Sequence, residues 1–216
     1  MKHQKDAATE ILLFTRYPVP GRAKTRLIPR LGAEGAAQLQ ARLTIQAVSV
    51  ARQAAAATGA RLTIFYTGGD RREMEEWLGR DLDFFRQGGG DLGVRILTAI
   101  RRGRAGGVRR TVVIGSDCPG LRPALLADAL RALETSPLVL GPAADGGYYL
   151  IGVSTSIPDP LLESLFTTID WGTSSVFAAT LARAHRSGIS PKILEVLHDI
   201  DRPEDLAHLD HHPDAQ

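Results

Sequence analysis

The chain has 216 residues, of which 44% are hydrophobic and 23% are charged, and its formal net charge is +2 at pH 7. These values are typical of one globular domain, and the balance of 26 basic against 24 acidic residues gives no case for binding nucleic acid or an acidic membrane. The single cysteine, Cys118, excludes an internal disulfide framework and a cysteine-based zinc site.

No stretch of the sequence approaches the roughly 20 apolar residues of a membrane-spanning helix. One cysteine also suits a reducing cytosol. We therefore expect a cytoplasmic protein with one domain over residues 10–207, between a disordered N-terminal tail (residues 1–9) and a flexible C-terminal tail (residues 208–216).

The first half of the chain alternates predicted strands and helices. Apolar runs predict strands at residues 11–15, 62–66 and 111–115, with a shorter one at 83–86. Helices are predicted between them: a long one whose apolar residues recur every three or four positions from 36 to 54, then 70–78, 92–102 and one that begins at Pro123. This alternation is typical of a parallel sheet flanked by helices.

The second half predicts strands at residues 138–140, 147–152 and 192–197. The first two are close together in the chain and are joined through the turn Asp145-Gly146, so we expect an antiparallel excursion in a mixed sheet. Thr173 or Ser174 is predicted to cap a helix that ends near residue 186, and Pro203 is predicted to start a short terminal helix.

A stiff basic loop, Pro18-Val-Pro-Gly-Arg-Ala-Lys-Thr-Arg-Leu27, follows the first strand. At the carboxyl edge of a sheet and just before a helix, backbone N–H groups and cationic side chains suit a polyphosphate. The alternative is a solvated basic loop. Lys24 favours the phosphate interpretation, because outside the N-terminal tail the chain has only one other lysine, Lys192, and uses arginine elsewhere.

Asp117 follows the strand predicted at 111–115 in the run Gly115-Ser-Asp-Cys-Pro-Gly-Leu121. In open α/β sheets, ligands bind at the carboxyl ends of the strands, so this carboxylate is a candidate ligand for a hard cation. The alternative is a helix cap, but Asp117 comes several residues too early to cap a helix at Pro123. Cys118 is interpreted as a packing residue rather than a nucleophile.

Two further acidic segments are candidates. Asp145 precedes Gly146-Gly147, which is either a hairpin turn or a place where a ligand approaches the backbone closely. Asp199 and Asp201 alternate at strand period and can point the same way. If both converge with Asp117, the three acids form an oxygen-only site for Mg²⁺ or Mn²⁺. Alternatively, Asp201 caps the helix at Pro203.

Taken in order, these motifs resemble the DUF2064 family, also described as radical-SAM/selenodomain-associated transferase 1 or arsenosugar-biosynthesis glycosyltransferase. The match covers the chain from Ile11 to Leu206. It is carried by Pro18-Val-Pro-Gly-Arg-Ala-Lys-Thr-Arg-Leu27, Gln87 with Gly90-Asp-Leu-Gly93, Gly115-Ser-Asp-Cys-Pro-Gly-Leu121, Gly141-Pro-Ala-Ala-Asp-Gly-Gly-Tyr-Tyr149, Phe166 with Trp171-Gly-Thr173, and Asp199-Ile-Asp-Arg-Pro-Glu-Asp-Leu206.

The resemblance implies a GT-A-type, Rossmann-like three-layer αβα sandwich with a mostly parallel mixed sheet and a small antiparallel extension. It also implies a relation to guanylyltransferases that activate 2-phospholactate or phosphoenolpyruvate, in which the acids matching Asp117, Asp199 and Asp201 hold the metal. Two features depart from related patterns. Cys118 and Pro119 replace a second acid after Asp117, and the first loop lacks the Leu-Ala-Gly-Gly opening of sugar-nucleotide pyrophosphorylases.

The expected function is metal-dependent glycosyl transfer from a nucleoside-diphosphate sugar to a small acceptor. The alternatives are a nucleotidyltransferase that uses a nucleoside triphosphate and releases pyrophosphate, and a non-catalytic nucleotide-binding domain. Lys24, Asp117 and Asp145 are the predicted catalytic residues. The predicted substrate- and nucleotide-binding residues are Pro20, Gly21, Arg22, Lys24, Thr25, Arg26, Gln87, Gly90, Asp91, Leu92, Gly93, Ser116, Asp117, Asp145, Gly146, Gly147, Tyr148, Trp171 and Thr173.

Overall fold

Seven strands form one sheet in the computed structural model, which describes residues 8–209. The strands are β1 (Thr9–Arg16), β2 (Arg61–Thr67), β3 (Asp83–Arg86), β4 (Arg110–Gly115), β5 (Leu138–Pro142), β6 (Tyr148–Ser154) and β7 (Lys192–Ile193). Their order across the sheet is β3-β2-β1-β4-β6-β5-β7. Only β6 runs antiparallel to its neighbours, β4 and β5, and the other pairs are parallel. The mostly parallel mixed sheet with an antiparallel excursion is therefore confirmed.

Six α-helices accompany the sheet among the described residues: α1 (Ile28–Thr58), α2 (Arg71–Leu78), α3 (Leu92–Ala105), α4 (Pro123–Ala132), α5 (Asp159–Ser164) and α6 (Val176–Arg186). Short 3₁₀ helices lie at Thr25–Leu27 and Pro203–His208. None of the helices within residues 8–209 is long and apolar enough to cross a bilayer.

Helices cover both faces of the sheet, as the two hydrophobic cores show. Ile11 and Leu13 of β1 pack with apolar residues of α1, α2 and α4, whereas Leu12 and Phe14 point to the other face and pack with α3, α5 and α6. Because successive strand residues alternate between faces, a strand that is apolar throughout is buried on both. The three-layer αβα arrangement expected from the resemblance is confirmed.

Local sequence explains where several helices begin and end. Asp70 and Glu73 form a reciprocal capping box at the start of α2. The Asp91 carboxylate accepts the Val94 N–H at the start of α3, Pro123 opens α4, and Gly59 ends α1 in the left-handed conformation with φ of 69°. The predicted starts of α2, α3 and α4 agree with the structure to within one residue, but α1 begins eight residues before its predicted apolar stripe.

Two predictions about the second half are wrong, and the alternative interpretation of Asp201 as a helix cap is also excluded. The last strand is only Lys192–Ile193 rather than 192–197, because beyond it pairing continues only through isolated contacts such as the Ala143–Leu197 bridge. Neither Thr173 nor Ser174 caps α6, which starts at Val176. Asp201 does not cap the terminal 3₁₀ helix, because the Asp205 carboxylate accepts the backbone N–H groups there.

The predicted tail boundaries are only partly covered by the described residues. Thr9, assigned to the N-terminal tail, is the first residue of β1 and is buried. His208, assigned to the C-terminal tail, ends the terminal 3₁₀ helix. The rest of both predicted tails, apart from Ala8 and Leu209, lies outside residues 8–209.

Candidate active site

Asp117 lies just beyond β4, next to the carboxyl end of β1, and ties three distant segments together. The Lys24 ammonium lies 2.5 Å from Asp117 Oδ1 and 2.5 Å from the carbonyl oxygen of Ile200. The Ile200 N–H donates to the carbonyl oxygen of Asp117 at 2.9 Å. The Lys24 side chain is 3% exposed and that of Asp117 is 46% exposed. The carboxylate is therefore bound by a buried ammonium on one side and remains accessible to a ligand on the other.

The backbone of the basic loop aims Lys24 inward. Lys24 has φ of 46° and ψ of 44°, a left-handed conformation that is unfavourable for a residue with a Cβ. Its neighbours Arg22 and Arg26 are exposed, whereas Lys24 is buried. The strain is offset by a charge-assisted contact with Asp117. Arg26 donates instead to the Asp201 carboxylate.

A network of buried polar side chains lies beneath this ion pair. The hydroxyl of Thr15 contacts those of Thr44 at 2.8 Å and Ser116 at 3.2 Å. The Gln40 amide of α1 donates to Thr44 at 3.1 Å and to Ser116 at 3.2 Å. Ser116 immediately precedes Asp117, so the network fixes the backbone that presents the carboxylate.

Two cavities of about 300 Å³ each meet at Asp117. The first, which we call the cationic cavity, lies over the carboxyl ends of β1 and β2 and contains three cationic side chains, Arg16, Lys24 and Arg95. Its lining residues are Phe14, Thr15, Arg16, Lys24, Gln40, Thr67, Gln87, Leu92, Arg95, Ser116, Asp117 and Asp201. Its charge suits an anionic ligand.

The second cavity, which we call the aromatic cavity, lies between β4, the β5–β6 hairpin and the segment before α6. Phe14, Leu92 and Asp117 also line the first cavity, and the remaining lining residues are Ile96, Val113, Ile114, Gly115, Cys118, Ala143, Asp145, Gly147, Tyr148, Tyr149, Ile151, Trp171, Gly172, Thr173, Val176 and Asp199. None of these described residues is Lys, Arg or His. The only charged side chains in its wall are three carboxylates.

The electrostatics of the aromatic cavity follow from this composition. Burial, followed by the negative charge of Asp145 and smaller contributions from Asp205 and Asp117, raises the pKa of Asp199 to about 6. Burial, followed by the negative charges of Asp199, Asp117 and Asp145, raises the pKa of the Cys118 thiol, which therefore stays neutral and poorly nucleophilic. The Asp145 carboxylate accepts the Gly147 N–H at 2.8 Å, which stabilises the turn predicted at this point.

The predicted three-acid metal site is not assembled in this structure. No group of three or more His, Cys, Asp or Glu side chains within residues 8–209 is arranged to hold a metal ion. Asp201 contacts Arg26 and lines the cationic cavity, whereas Asp199 lines the aromatic cavity and Asp117 lines both. Residues two apart on a regular strand face the same side. Residues 199–201 do not form a regular strand, so Asp199 and Asp201 need not point the same way.

The remaining predicted site residues divide into four groups. Lys24, Gln87 and Ser116 line the cationic cavity, Asp145, Gly147, Tyr148, Trp171 and Thr173 line the aromatic cavity, and Leu92 lines both. The others are not part of either lining: Pro20, Gly21, Arg22, Thr25, Arg26, Gly90, Asp91, Gly93 and Gly146.

Several residues of this last group have structural roles. Asp91 caps α3, and Gly93 allows α3 to approach the segment around Trp171, because a Cβ at this position would lie 2.3 Å from the Phe166 carbonyl oxygen. Gly146 is similarly close to the backbone of Ser174. Gln87 lines its cavity, but its amide donates to the carbonyl oxygens of Thr15 and Phe65 and so joins the ends of β1 and β2.

Gln40 and Arg95 line the cationic cavity but were not predicted from the sequence. Gln40 is a buried polar residue among the regularly spaced apolar residues of α1, and such an interruption is a recognisable signal. Arg95 lies in the first turn of α3, at the helix end that faces the carboxyl edge of the sheet. The order of strands and helices could have placed Arg95 at this edge of the sheet. Because Arg95 and Lys24 are far apart in sequence, the sequence did not show that they line the same cavity.

The fold and these two cavities define the class of the protein, a transferase of the nucleotide-diphospho-sugar transferase fold. The chain belongs to the DUF2064 family, whose members are described as uncharacterized proteins conserved in bacteria. The family model matches residues 49–173, more than half of the chain.

Solved structures agree with this placement. The chain is similar to a protein from Desulfovibrio desulfuricans G20 that has been assigned as a nucleotide-diphospho-sugar transferase, with 33% identity, a TM-score of 0.82 and coverage of 93% of this chain and 85% of that one. It shares its fold with Rv0371c of Mycobacterium tuberculosis H37Rv in complex with manganese (18% identity, TM-score 0.56, coverage 93% and 96%). It also shares it with CMP:2-keto-3-deoxy-manno-octonic acid synthetase in complex with CTP (11% identity, TM-score 0.56, coverage 93% and 95%). No curated protein matches the chain.

Proposed function

We propose that this protein transfers a glycosyl group from a nucleoside-diphosphate sugar to a hydroxyl of a small acceptor. The observation that carries the proposal is the meeting of two unlike cavities at one carboxylate, Asp117. The nucleotide diphosphate would occupy the cationic cavity and the acceptor the aromatic cavity. The bond that breaks would then lie beside Asp117, between the two.

The cationic cavity suits the diphosphate. Arg16 and Arg95 offer planar guanidinium groups for phosphate oxygens, and Lys24 offers a compact charge at its floor. Negative charge develops on the diphosphate as the glycosidic bond breaks. Fixed cations around that charge stabilise the transition state more than the ground state.

A divalent cation fits part of the predicted acid set. Mg²⁺ beside phosphates commonly uses one or two carboxylates, with the phosphates and water as its other ligands. Asp117 and Asp199 line the same cavity, and the pKa of Asp199, raised first by burial and then by the charge of Asp145, indicates a place where positive charge is favourable. In the proposed enzyme these two residues would hold Mg²⁺ or Mn²⁺, which would neutralise the leaving diphosphate.

The chemical step needs a base on the acceptor side. The acceptor oxygen would attack the anomeric carbon, the carbon–oxygen bond to the diphosphate would break, and the proton of the acceptor hydroxyl would pass to the Asp145 carboxylate. Asp145 lines the aromatic cavity, and its hydrogen bond to the Gly147 N–H orients it there. The Lys24 contact orients Asp117 in the same way on the nucleotide side.

Nucleotidyl transfer is the second candidate, because the three cations of the cationic cavity would serve a triphosphate equally well. In that reaction a phosphate or carboxylate substrate attacks the α-phosphorus and pyrophosphate leaves. Such a nucleophile would enter the aromatic cavity, where the described lining residues supply carboxylates and no cation. Asp145 is not one of the proposed metal ligands, so its repulsion of such a nucleophile favours glycosyl transfer to a neutral hydroxyl.

The identity of the released product tests the proposal. The protein is incubated with Mg²⁺ or Mn²⁺, or with a chelator, together with panels of nucleoside-diphosphate sugars or nucleoside triphosphates and a small-molecule cell extract as the source of acceptor. We expect nucleoside diphosphate release that requires metal and extract, with a new glycosylated compound detected by mass spectrometry. Pyrophosphate release would establish nucleotidyl transfer instead. Nucleotide binding without either product would contradict both transfer reactions.

A further inference from the structure

Two residues that line the aromatic cavity each carry a buried hydrogen-bond donor with no partner among the described residues. The Tyr148 hydroxyl and the Trp171 indole N–H are enclosed by the protein, and neither has a hydrogen-bond partner among the described residues. The two rings contact each other edge to face, with centroids 6.0 Å apart. Burial raises the pKa of Tyr148, so its hydroxyl keeps its proton and remains a donor. Buried donors are nearly always satisfied, so an unpaired pair beside a cavity points to a ligand acceptor.

The neighbouring Tyr149 shows that the absence of a partner is particular to Tyr148. Tyr149 also lines the cavity, but its hydroxyl donates to the Glu195 carbonyl oxygen at 3.1 Å. Both tyrosines belong to β6 and therefore point to opposite faces of the sheet. The Tyr149 hydroxyl is hydrogen-bonded within the fold, whereas the Tyr148 hydroxyl has no partner among the described residues.

The rest of the wall limits what can bind. Trp171, Tyr148 and Phe14 provide apolar ring surfaces, while Asp117, Asp145 and Asp199 provide hydrogen-bond acceptors. A molecule that carries hydroxyl groups and an apolar C–H face matches both, because its hydroxyls donate to the carboxylates and its oxygens accept from Tyr148 and Trp171. Asp117 is paired with Lys24, but Asp145 and Asp199 have no cation among the described lining residues, so without a bound metal ion an anion would face two uncompensated carboxylates.

We propose that the aromatic cavity binds a neutral, hydroxylated molecule of the carbohydrate or polyol class, and that Tyr148 and Trp171 recognise its oxygens. The assignment of this molecule as the acceptor rests on the proposed function. The binding specificity of the cavity does not, because it follows from the lining residues alone.

Intrinsic fluorescence can measure this binding directly. The chain has two tryptophans, so Trp77→Phe leaves Trp171 as the only one, and Trp77 packs against Tyr17 away from the cavity. Methyl glycosides of common hexoses and pentoses and inositols serve as neutral probes, and the corresponding uronic acids and sugar phosphates serve as their charged counterparts. We expect a saturable emission change with at least one neutral probe, and binding of its anionic counterpart at least about tenfold weaker. Equal or tighter binding of the anion would overturn the proposal, and so would the absence of binding by every neutral probe at millimolar concentration.

A matched pair of tyrosine variants separates recognition from structure. Tyr148→Phe in the Trp77→Phe background keeps the ring and removes the unpaired hydroxyl, so we expect affinity for the neutral probe to fall roughly fivefold with no loss of thermal stability. Tyr149→Phe removes a hydroxyl that already has a protein partner, so we expect a lower Tm and a smaller loss of affinity than in Tyr148→Phe. Unchanged affinity in Tyr148→Phe, or equal losses of affinity in both variants, would contradict the assigned role of Tyr148.

The outcomes distinguish this proposal from the proposed function. If neutral probes bind and nucleoside diphosphate is never released, the cavity assignment holds while glycosyl transfer fails. If nucleoside diphosphate is released but the cavity prefers anions, glycosyl transfer holds and the acceptor class is wrong.

Discussion

The two cavities share Asp117 but are built by different halves of the sheet. The cationic cavity is formed mainly by the parallel half, from the ends of β1 and β2 and the first turn of α3. The aromatic cavity is formed mainly by the antiparallel excursion, from the β5–β6 hairpin and the segment before α6. One contains guanidinium and ammonium groups and the other contains rings and carboxylates. The comparison teaches that the two cavities differ in charge rather than in size, because both volumes are about 300 Å³.

The largest expected effect comes from the carboxylate that joins the cavities. Asp117→Asn keeps a hydrogen-bond acceptor for Lys24 but removes the negative charge. We expect turnover to fall at least roughly a hundredfold and the metal-dependent part of nucleotide binding to disappear. Turnover is measured as nucleoside diphosphate release, and binding by calorimetry with and without Mg²⁺.

Asp128→Asn is the matched control, because it makes the same change on an exposed residue of α4 that pairs with Arg131. It should leave both measurements unchanged, while circular dichroism confirms that both variants are folded. Retention of metal-dependent binding in Asp117→Asn would show that Asp117 is not a metal ligand.

Lys24 lines the cationic cavity and not the aromatic cavity, so its removal should mainly weaken ligand binding in the cationic cavity. Lys24→Ala is expected to weaken nucleotide affinity by roughly ten- to a hundredfold, because a charge-assisted contact is lost. Binding of a neutral probe to the aromatic cavity should change much less. Both are measured by titration of the same preparation.

Two further variants control for this experiment. Lys24→Gly removes the ammonium but suits the left-handed backbone, so it should lose the same nucleotide affinity as Lys24→Ala while unfolding at a higher denaturant concentration. Arg131→Ala, on an exposed face, should have no effect on affinity. If Lys24→Ala behaved like Arg131→Ala, the basic loop would be a solvated surface.

Gly93 tests the packing that supports the aromatic cavity. An added Cβ would collide with the Phe166 carbonyl oxygen and the Trp171 ring, so Gly93→Ala should lower the free energy of unfolding by about 1–3 kcal/mol and displace Trp171. Gly89→Ala is the control, because a Cβ there has no atom within 4 Å. Urea unfolding and Trp171 emission are the measurements, and equal stability of the two variants would refute the close approach.

The smallest effect lies far from both cavities. Arg52 hydrogen-bonds the Asp81 carboxylate and lowers its pKa below the usual value. A carboxyl group with a lowered folded-state pKa contributes stability above its unfolded pKa near 4, and that contribution is lost as the pH falls through the folded value. Asp81→Asn should therefore make unfolding slightly less dependent on pH below about 5. The pair is largely exposed, so the change should be small, with nucleotide affinity unaffected.

Local patterns predicted several helix ends correctly, although the cap predicted at Thr173 or Ser174 was wrong. Asp70, Asp91, Pro123 and Gly59 bound their helices as their side chains and backbone preferences require. The pattern was less reliable after residue 190, where the six-residue segment 192–197 predicted a strand but only Lys192–Ile193 pairs as one. Strand length there depends on how far β5 continues alongside, which the stretch itself does not contain.

The sequence alone determined the element order, the two-sided burial of the strands and the placement of Asp117 at a sheet edge, because these follow from periodicity, turn residues and chain direction. Tertiary structure decided which charges meet. Lys24 reaches Asp117 across 93 positions, and Arg26 reaches Asp201 across 175. Such pairings depend on the packing of segments that are distant in sequence, and they assigned the acids to two cavities instead of a single metal site. Within residues 8–209, the same packing gives the Tyr149 hydroxyl a partner and the Tyr148 hydroxyl none, a difference that two adjacent identical residues could not reveal.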